Sequence, residues 1–384
     1  MKTYYFDHAA TSFPKAPGVG EAMADYIQNV GCNVGRGAYR TAYDAAEALL
    51  ELRERLCGLF HGPDPRNVIF TPGATYALND VFFGLLKPGD KVLTTHMEHN
   101  AVARPLHLLA QSGVMVGYLP CTETGELAEG WKEKITKELA LVVMTHASNV
   151  SGTLLPVGEV GLRCREVGVP FCVDAAQTAG MVPIHMDELC IDALAFPGHK
   201  GLLGPQGIGG LILTDALAAR MRSVVAGGTG SRSDLLDMPD FLPDRFEPGT
   251  LNLPGAYGLL AALRWRGEQD ESALFRREQA LTRHLLARLK EMEPDGLRVL
   301  GPDWGVPRAG VVSVDFPALD NAEAAFRLEE EFGIQTRCGL QCAPLAHQAL
   351  GTYPQGAVRF SVGPFTRFED IDYLHGAVCA VMEV

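Results

Sequence analysis

The feature that most constrains the fold is a series of seven short apolar segments separated by longer amphipathic ones. The expected strands occupy residues 67–71, 91–95, 114–119, 139–146, 171–175, 191–196 and 209–214. Helix-length segments lie between several of them, at residues 75–86, 100–111 and 157–168. Because the strand segments are apolar along their length, both of their faces must be buried. The pattern therefore predicts an α/β fold with a mainly parallel seven-stranded sheet covered by helices.

The pattern changes after about residue 260. An amphipathic region is followed by two short strands and two helices: the region covers 256–292, the strands 311–316 and 357–362, and the helices 321–332 and 369–382. This part of the chain predicts a smaller α+β domain. We expect residues 14–260 to form the large domain, and residues 1–13 together with 261–384 to form the small one.

Composition narrows the class of protein. The 384 residues are 47% hydrophobic and 21% charged, as in soluble globular chains of one or two domains. A net charge of −13 without a lysine- and arginine-rich run argues against nucleic acid or an anionic membrane as the main partner. The sequence shows neither a signal-peptide pattern nor an apolar run of the roughly 20 residues that span a bilayer. Nine cysteines without a disulfide-framework spacing favour a reducing compartment, and we expect a cytoplasmic protein.

The residues that follow the first strands form an informative set, because ligands of parallel sheets bind at the carboxyl ends of the strands. Gly73, Ala74 and Thr75 follow the first strand, where free backbone N–H groups and a hydroxyl suit a phosphate. Threonine is also a common N-cap, so this signal alone is weak. His99 ends the stretch HMEH, which lacks a third metal ligand and is not the HExxH pattern. We therefore expect no metal there, and a flat imidazole that can stack on a planar ligand.

Side chains with an amide, a carboxylate and an amine lie at the ends of the next strands. Asn149 lies in a polar turn, and Asp174 ends an apolar strand, where a lone carboxylate is costly unless it caps a helix or has a cationic partner. Gln177 follows three residues later. Lys200 lies beyond the next strand in FPGHKGLLGPQGIGG, either as an exposed turn residue or in contact with something bound there.

Together these residues indicate a pocket for pyridoxal 5′-phosphate (PLP). The aldehyde of PLP needs an amine, its ring nitrogen needs an anion that holds a proton, and its phosphate needs amide donors. Each residue is ambiguous alone, whereas their order and their strand-end positions are much less ambiguous. A dinucleotide site is the competing α/β interpretation, but no GxGxxG follows the first strand and no GxxxxGK[ST] occurs in the chain.

A series of longer motifs makes a family recognisable. The motifs are YYFDHAATSFP, MEHNAV, HASNVSGT, VDAAQTAG, FPGHKGLLGPQGIGGL, EPGTLNLPG, RCGLQCAPLAH and AVRFSVGPF. In this order they resemble the class V aminotransferase superfamily, and more closely the cysteine desulfurases and selenocysteine lyases, from about residue 4 to residue 375. The resemblance implies a PLP enzyme of fold type I that forms a homodimer with active sites at the subunit interface.

For the cofactor ring, the resemblance implies five roles. Lys200 is the Schiff-base lysine, and His199 lies beside it near the phosphate. Asp174 pairs with the pyridine nitrogen, and Gln177 bonds the ring hydroxyl. His99 stacks on the ring.

For the phosphate and the substrate, the resemblance implies five more. Ala74 and Thr75 hold the phosphate, and Thr250 in EPGTLN reaches the phosphate of the other subunit's cofactor. Asn149 contacts the substrate or the ring. Arg359 binds the substrate α-carboxylate, which its two-pronged guanidinium suits better than a lysine would.

The reaction is indicated by the stretch RCGLQCAP. In desulfurases with a short active-site segment, the motif RxGxxCA places the nucleophilic cysteine at the position of Cys342. Its thiolate attacks the substrate sulfur and retains it as a persulfide while alanine is released. The alternative is an inert buried thiol, the usual state of a cysteine. Cys338, at C-x3-C spacing, allows a regulatory disulfide as a further alternative.

Two positions depart from the family pattern. Pro197 stands where the family often has a serine before Gly-His-Lys, which removes one phosphate hydroxyl. Leu340 and Gln341 stand where many short-segment desulfurases carry two histidines. PLP binding is still expected, whereas thiol activation and the choice between sulfur and selenium substrates stay open.

We therefore expect a PLP-dependent cysteine desulfurase that converts L-cysteine to L-alanine and passes sulfur from Cys342 to an acceptor protein. A selenocysteine lyase, an aminotransferase, a β-lyase and an epimerase are the alternatives that keep the cofactor. A catalytically silent relay protein would lack the lysine or its carboxylate partner, and both Lys200 and Asp174 are present.

Overall fold

The computed structural model describes residues 2–35, 37–303, 305–306 and 308–383. The strands, in chain order, are β1 (Tyr4–Tyr5), β2 (Val68–Thr71), β3 (Lys91–Thr95), β4 (Met115–Leu119), β5 (Leu141–Thr145), β6 (Phe171–Asp174), β7 (Ala193–Pro197), β8 (Gly209–Leu213), β9 (Arg298–Val299), β10 (Val311–Asp315), β11 (Ile334–Gln335), β12 (Arg337–Gly339) and β13 (Ala357–Ser361).

The α-helices are α1 (Val19–Asp25), α2 (Arg40–Phe60), α3 (Ala74–Leu85), α4 (Asn100–Gln111), α5 (Trp131–Lys134), α6 (Val157–Val167), α7 (Asp215–Arg220), α8 (Leu253–Gly267), α9 (Glu271–Lys290), α10 (Asn321–Phe332), α11 (Pro344–Ala349) and α12 (Phe368–Met382). Short 3-10 turns cover Pro65–Asn67, Asp244–Phe246 and Glu293–Asp295, and a π-helical turn, Tyr26–Val30, continues α1.

The large sheet has the order β2-β8-β7-β6-β5-β3-β4. Strands β3 to β7 pair in parallel, and β8 alone runs antiparallel to both of its neighbours. The seven-stranded, mainly parallel sheet predicted from the sequence is therefore confirmed. Because six strands point the same way, their carboxyl ends lie along one edge.

Both faces of this sheet are buried. Along β5, Val142 and Met144 belong to one apolar core, and Leu141 and Val143 belong to the other. Consecutive side chains of a strand point to opposite faces, so a strand between two cores must be apolar at every position. Helices α3, α4 and α7 cover one face, and α2, α6 and α8 cover the other.

The C-terminal part is built on an antiparallel sheet of order β12-β13-β10-β9, with α9, α10 and α12 packed around one core. The N-terminal strand β1 pairs in parallel with β11, and Phe6 belongs to the same core. No described helix is long and apolar enough to cross a membrane.

The helices differ from the expectation in two ways. The amphipathic region 256–292 forms two helices, since the Asp270 carboxylate accepts a hydrogen bond from Ala273 N at 3.1 Å and starts α9. Helices α1 and α2 have no counterpart among the predicted elements. The domain boundary predicted at residue 260 falls inside α8, whose Leu259 and Leu263 pack under the large sheet, and the division stays a prediction.

Gly161 provides a test of how α6 packs. A Cβ at this position would lie 2.0 Å from the carbonyl oxygen of Leu189, which is backbone and cannot rotate away. We expect Gly161→Ala to lower the free energy of unfolding by about 1–3 kcal/mol. In the matched control Gly376→Ala, on α12, the new methyl meets nothing within 4 Å, and better helix propensity should raise stability by up to about 1 kcal/mol. Urea unfolding measures both, and equal stabilities would contradict this packing.

Candidate active site

A cavity of about 370 Å³ lies at the carboxyl edge of the large sheet. Ten of the predicted site residues line it: Ala74, Thr75, His99, Asn149, Asp174, Gln177, His199, Lys200, Cys342 and Arg359. Thr250 lines a neighbouring cavity, and Tyr76 and Pro72 border both. The structure therefore brings together residues spread over most of the chain, and the contact of Thr250 with a partner's cofactor stays a prediction.

One end of the cavity suits an anion. Helix α3 begins there without a side-chain cap, and the backbone N–H groups of Ala74 and Thr75 have no acceptor among the described residues. Free amides at a helix start bind phosphate well, because they add to the positive end of the helix dipole. Gly209 on β8 permits this arrangement, since a Cβ there would lie 2.8 Å from Gly73 Cα. Pro197 pairs with Gly209 at the end of β7 and offers this region no hydroxyl.

Asp174 and Lys200 lie on adjacent strand ends of the cavity. Asp174 is 2% exposed, and its Oδ1 accepts a hydrogen bond from Ala176 N at 2.9 Å. Burial raises the pKa of Asp174, and the nearby Lys200 ammonium opposes that rise. Burial and the positive charge of Arg359 lower the pKa of Lys200 to about 8. The neutral, nucleophilic form of the amine is therefore much more populated near neutral pH than in an exposed lysine.

The two histidines of the cavity are held neutral. His99 is the N-cap of α4, and its Nδ1 accepts a hydrogen bond from Ala101 N at 3.0 Å. Burial, followed by Lys200 and Arg359, lowers the pKa of His99 to about 4. Burial and Lys200 likewise lower the pKa of His199 to about 4. The ring of His99 is thus uncharged and carries its proton on Nε2, away from the helix.

The loop that carries Cys342 is anchored to the large sheet. Cys342 is exposed, and its φ of 57° follows a φ of 41° at Gln341, both in the left-handed region that side chains disfavour. Two hydrogen bonds hold the loop: Asn100 N donates to Cys342 O at 2.7 Å, and Asn149 Nδ2 donates to Gln341 O at 2.7 Å. Asn149 therefore positions the cysteine loop, a role that the sequence did not indicate.

Gln341 is buried and serves as an internal anchor. Its Nε2 donates to Ala357 O at 2.7 Å, and its Oε1 lies 2.6 Å from His347 Nε2. The other nitrogen of His347 lies 2.7 Å from the hydroxyl of Thr352. The glutamine that precedes Cys342 in the sequence therefore belongs to a hydrogen-bond network with His347, Thr352 and the backbone of Ala357. Cys338 is half-buried on β12, and burial raises its pKa; its thiol and that of Cys342 are free, so the disulfide that the spacing allows stays an untested alternative.

Asp7 and Arg337 had no predicted role, and both belong to the site. Asp7 Oδ1 accepts a hydrogen bond from Arg359 Nη2 at 3.0 Å, and its Oδ2 lies 3.3 Å from Arg337 Nε. Arg359 also donates through Nη1 to Asn149 O at 3.0 Å, and its buried Nε has no partner among the described residues. Both residues stood in recognised motifs, but only contacts across the fold reveal the shared ion pair.

The N-terminal segment after Asp7 closes the back of the site. Ala9 O accepts a hydrogen bond from Gln177 Nε2 at 3.1 Å, and Ser12 Oγ donates to Lys200 O at 2.9 Å. Lys15 Nζ donates to His199 O at 2.8 Å. Residues from the start of the chain therefore hold the loop of the lysine in position.

Glu98 fastens two strand ends. Its carboxyl accepts hydrogen bonds from Thr145 N at 3.0 and 3.1 Å and from Thr95 Oγ1 at 2.6 Å. Burial raises the pKa of Glu98 to about 8, so the group is mostly neutral at pH 7. This contact keeps the ends of β3 and β5, which precede His99 and Asn149, close together. Among the described residues, no group of three or more metal-ligating side chains is present.

Comparisons with known proteins identify the family of this chain. The family model described as aminotransferase class-V matches residues 4–374. A probable cysteine desulfurase of Methanothermobacter thermautotrophicus is 32% identical over 377 residues, which cover 96% of this chain and 92% of that protein. A cysteine desulfurase of Haloferax volcanii is 30% identical over 389 residues, covering 99% of this chain and 89% of that protein.

Solved structures of cysteine desulfurases share the fold. The apo structure of the enzyme from Thermococcus onnurineus NA1 has a TM-score of 0.90 at 32% identity and covers 97% of this chain and 93% of that one. The cysteine desulfurase CsdA of Escherichia coli has a TM-score of 0.86 at 28% identity, covering 99% and 94%. The predicted family and fold type are confirmed: the chain belongs to the class-V aminotransferase family and, within it, to the cysteine desulfurases, a family of PLP-dependent enzymes.

Proposed function

We propose that this chain is a PLP-dependent cysteine desulfurase that converts L-cysteine to L-alanine and transfers the sulfur through Cys342 to an acceptor protein. One observation carries the proposal: an exposed cysteine on an anchored loop lines the same cavity as Lys200, Asp174 and Arg359. The names of the relatives support the same reaction.

The cavity fits PLP, because free amides, a buried carboxylate, a flat neutral imidazole and an amine of lowered pKa surround one space. The residues that would hold the cofactor are Ala74, Thr75 and His199 for the phosphate, Asp174 for the ring nitrogen, Gln177 for the ring hydroxyl, His99 for the ring face and Lys200 for the aldehyde. When bound, PLP supplies an electron sink for the bond between Cα and its hydrogen.

Arg359 receives the carboxylate of cysteine. Its buried guanidinium is oriented by Asp7 and by Asn149 O, and its unpartnered Nε leaves a donor available. A guanidinium whose direction is already set loses little freedom when it binds a carboxylate. Arg337 pairs with the other carboxylate oxygen of Asp7 and also lines the cavity, so it adds a second positive charge near Arg359.

Lys200 then removes the proton from Cα of the substrate and later returns it. Its pKa of about 8 suits both directions of transfer near neutral pH. The Cys342 thiolate attacks the substrate sulfur, so the bond between that sulfur and Cβ breaks as the new sulfur–sulfur bond forms. The carbon skeleton leaves as alanine after Cβ takes up a proton, and Cys342 keeps the sulfur as a persulfide. Exposure of Cys342 lets an acceptor protein reach it.

We further propose a homodimer in which Thr250 serves the site of the second copy. Thr250 lies outside its own active-site cavity, next to Tyr76, which is 61% exposed. The nearby Val225 and the loop residue Leu236 are also strongly exposed, and a second copy that covered them would bury apolar surface. The cytoplasm is the proposed location, since the nine cysteines are free thiols that a reducing compartment preserves.

The nucleophile is tested with Cys342→Ala. Wild-type protein given L-cysteine and a thiol reductant should form alanine and sulfide, and the variant should form neither, because no thiol accepts the sulfur. Cys338→Ala, four residues away on β12, is the matched control and should retain both products. Amino-acid analysis and sulfide detection measure the outcome; undiminished sulfide from Cys342→Ala would assign the nucleophile elsewhere.

The covalent attachment of PLP is tested with Lys200→Ala. After incubation with PLP and borohydride reduction, mass spectrometry should find the added mass on the wild-type peptide that contains Lys200, and none on the variant. Lys15→Ala is the control, because burial lowers the pKa of Lys15 to about 8 as well, which makes it the competing amine. An adduct on Lys15 in the wild-type protein would contradict the assignment.

The role of Asp7 is tested with Asp7→Asn. Loss of its charge frees Arg359 and Arg337 from their shared partner, and hydrogen bonds to charged groups contribute about 1.5–3 kcal/mol. We expect KM for cysteine to rise roughly tenfold or more with a smaller change in kcat, because the ion pair with Asp7 orients Arg359 for substrate binding. Asp25→Asn, in an exposed position on α1, should leave KM unchanged. An unchanged KM in Asp7→Asn would show that the ion pair does not orient Arg359.

A further inference from the structure

A second, small cavity lies behind Lys200. It has a volume of about 20 Å³, and three of its lining residues, Ala9, Gln177 and Lys200, also line the active-site cavity. These three residues therefore form a wall that the two spaces share. A cavity needs roughly 10–15 Å³ to hold a water molecule, so this space admits one.

Two buried polar atoms on this cavity's lining residues lack a partner. Glu278 is 2% exposed, and its Oε2 has no hydrogen-bond partner among the described residues, although Gly310 N donates to Oε1 at 3.2 Å. His8 is 7% exposed, and its Nδ1 is likewise unpartnered. Gly363 packs directly against this nitrogen, since a Cβ at that position would lie 2.4 Å from it. Gly363 therefore has no side chain that could serve as a hydrogen-bond partner. Buried polar atoms of this kind are satisfied by an internal water.

A larger cavity of about 450 Å³ lies on the far side, and Glu278 and Met181 line both spaces. Arg266, also buried, lines the larger cavity; its Nη1 donates to Gly201 O at 3.3 Å, and its Nε has no partner among the described residues. Glu278 therefore stands between the space behind the lysine and a cavity that reaches the outer surface of the protein.

Glu278 and Lys200 have similar pKa values. Burial raises the pKa of Glu278 to about 8, and the Gly310 N–H and the Arg266 charge oppose that rise. The pKa of Lys200 is also about 8, whereas burial and Lys15 lower the pKa of His8 to about 4 and keep it neutral. Proton transfer between groups of equal pKa costs little free energy.

Other titratable groups face Glu278 only across the larger cavity. They are Glu271 and Arg276 of α9, and the stacked imidazoles of His61 and His185. Among the groups on the described residues, Glu278 is the acid that borders both cavities.

We propose that Glu278 is a proton-relay residue that exchanges protons between Lys200 and the solvent through a water molecule in the small cavity. The Lys200 ammonium gives a proton to the water as the water gives one to the Glu278 carboxylate, which leaves a neutral amine and a carboxylic acid. The acid then releases its proton to solvent in the larger cavity. The relay rests on the proposed function, in which Lys200 holds the Cα proton while cofactor and substrate fill the front of the site.

The experiment follows the exchange of the α-hydrogen of L-alanine in D₂O by proton NMR, using the PLP-loaded enzyme. The wild type should exchange this hydrogen, because Lys200 takes it and the relay replaces it with deuterium. Glu278→Gln keeps the size and the Gly310 hydrogen bond but cannot carry a proton, and it should slow the exchange roughly tenfold or more. Glu278→Asp, which keeps the acid on a shorter side chain, should exchange at an intermediate rate.

Glu271→Gln is the matched control, since it makes the same side-chain substitution at another residue of the larger cavity and should exchange at the wild-type rate. In cofactor-free protein, infrared difference spectra between about pH 6 and pH 10 should contain carboxylic-acid absorption from both Glu98 and Glu278, and Glu278→Gln should remove the part that Glu278 contributes. Wild-type exchange in Glu278→Gln, or an unchanged band, would overturn the relay. If Glu278→Gln does not fold, wild-type exchange in Glu278→Asp overturns it instead. Absence of alanine from L-cysteine would defeat the desulfurase proposal alone, because exchange of added alanine does not require Cys342.

Discussion

The rest of the structure depends on the burial of the large sheet on both faces. A charged side chain in the middle of a strand between two apolar cores would be costly, so the charged groups collect where the strands end. Because β3, β5, β6 and β7 run parallel, those ends share one edge, and His99, Asn149, Asp174 and Lys200 meet there. The same burial sets their chemistry, since it lowers the pKa of Lys200 to about 8 and raises that of Asp174.

The second sheet contributes through contacts that join distant parts of the chain. Asp7 and Arg359 are separated by 352 positions and form an ion pair at 3.0 Å. The cysteine loop is likewise fastened to the large sheet by Asn149. The geometry of the candidate active site thus depends on the two sheets being held together, and contacts of the N-terminal segment contribute to that. Burial also governs the polar cavities behind Lys200, because buried charges there require hydrogen-bond partners or water.

Much of the fold was predictable because its signals are local. The predicted bounds of β3, α4 and α10 agree with the structure residue by residue, since apolar periodicity and capping residues lie within each segment. The residues that escaped prediction have partners far away in the sequence. Asp7, Glu98 and Glu278 are ordinary acidic residues in the sequence, and their roles come from what the fold places beside them. The departure at Gln341 is explained by its contact with His347, which closes the motif RCGLQCAPLAH, and the motif by itself did not indicate that these two side chains pair.

The sequence by itself determined the class of fold, the family and ten of the residues that line the cavity, because each depends on local patterns and on the order of motifs along the chain. Tertiary structure alone decided which of these residues contact one another, which carboxyls are neutral and where polar atoms lack partners. The physical reason is that pairing and desolvation are properties of the space around a group. That space is formed by segments hundreds of residues apart, and no single segment encodes it.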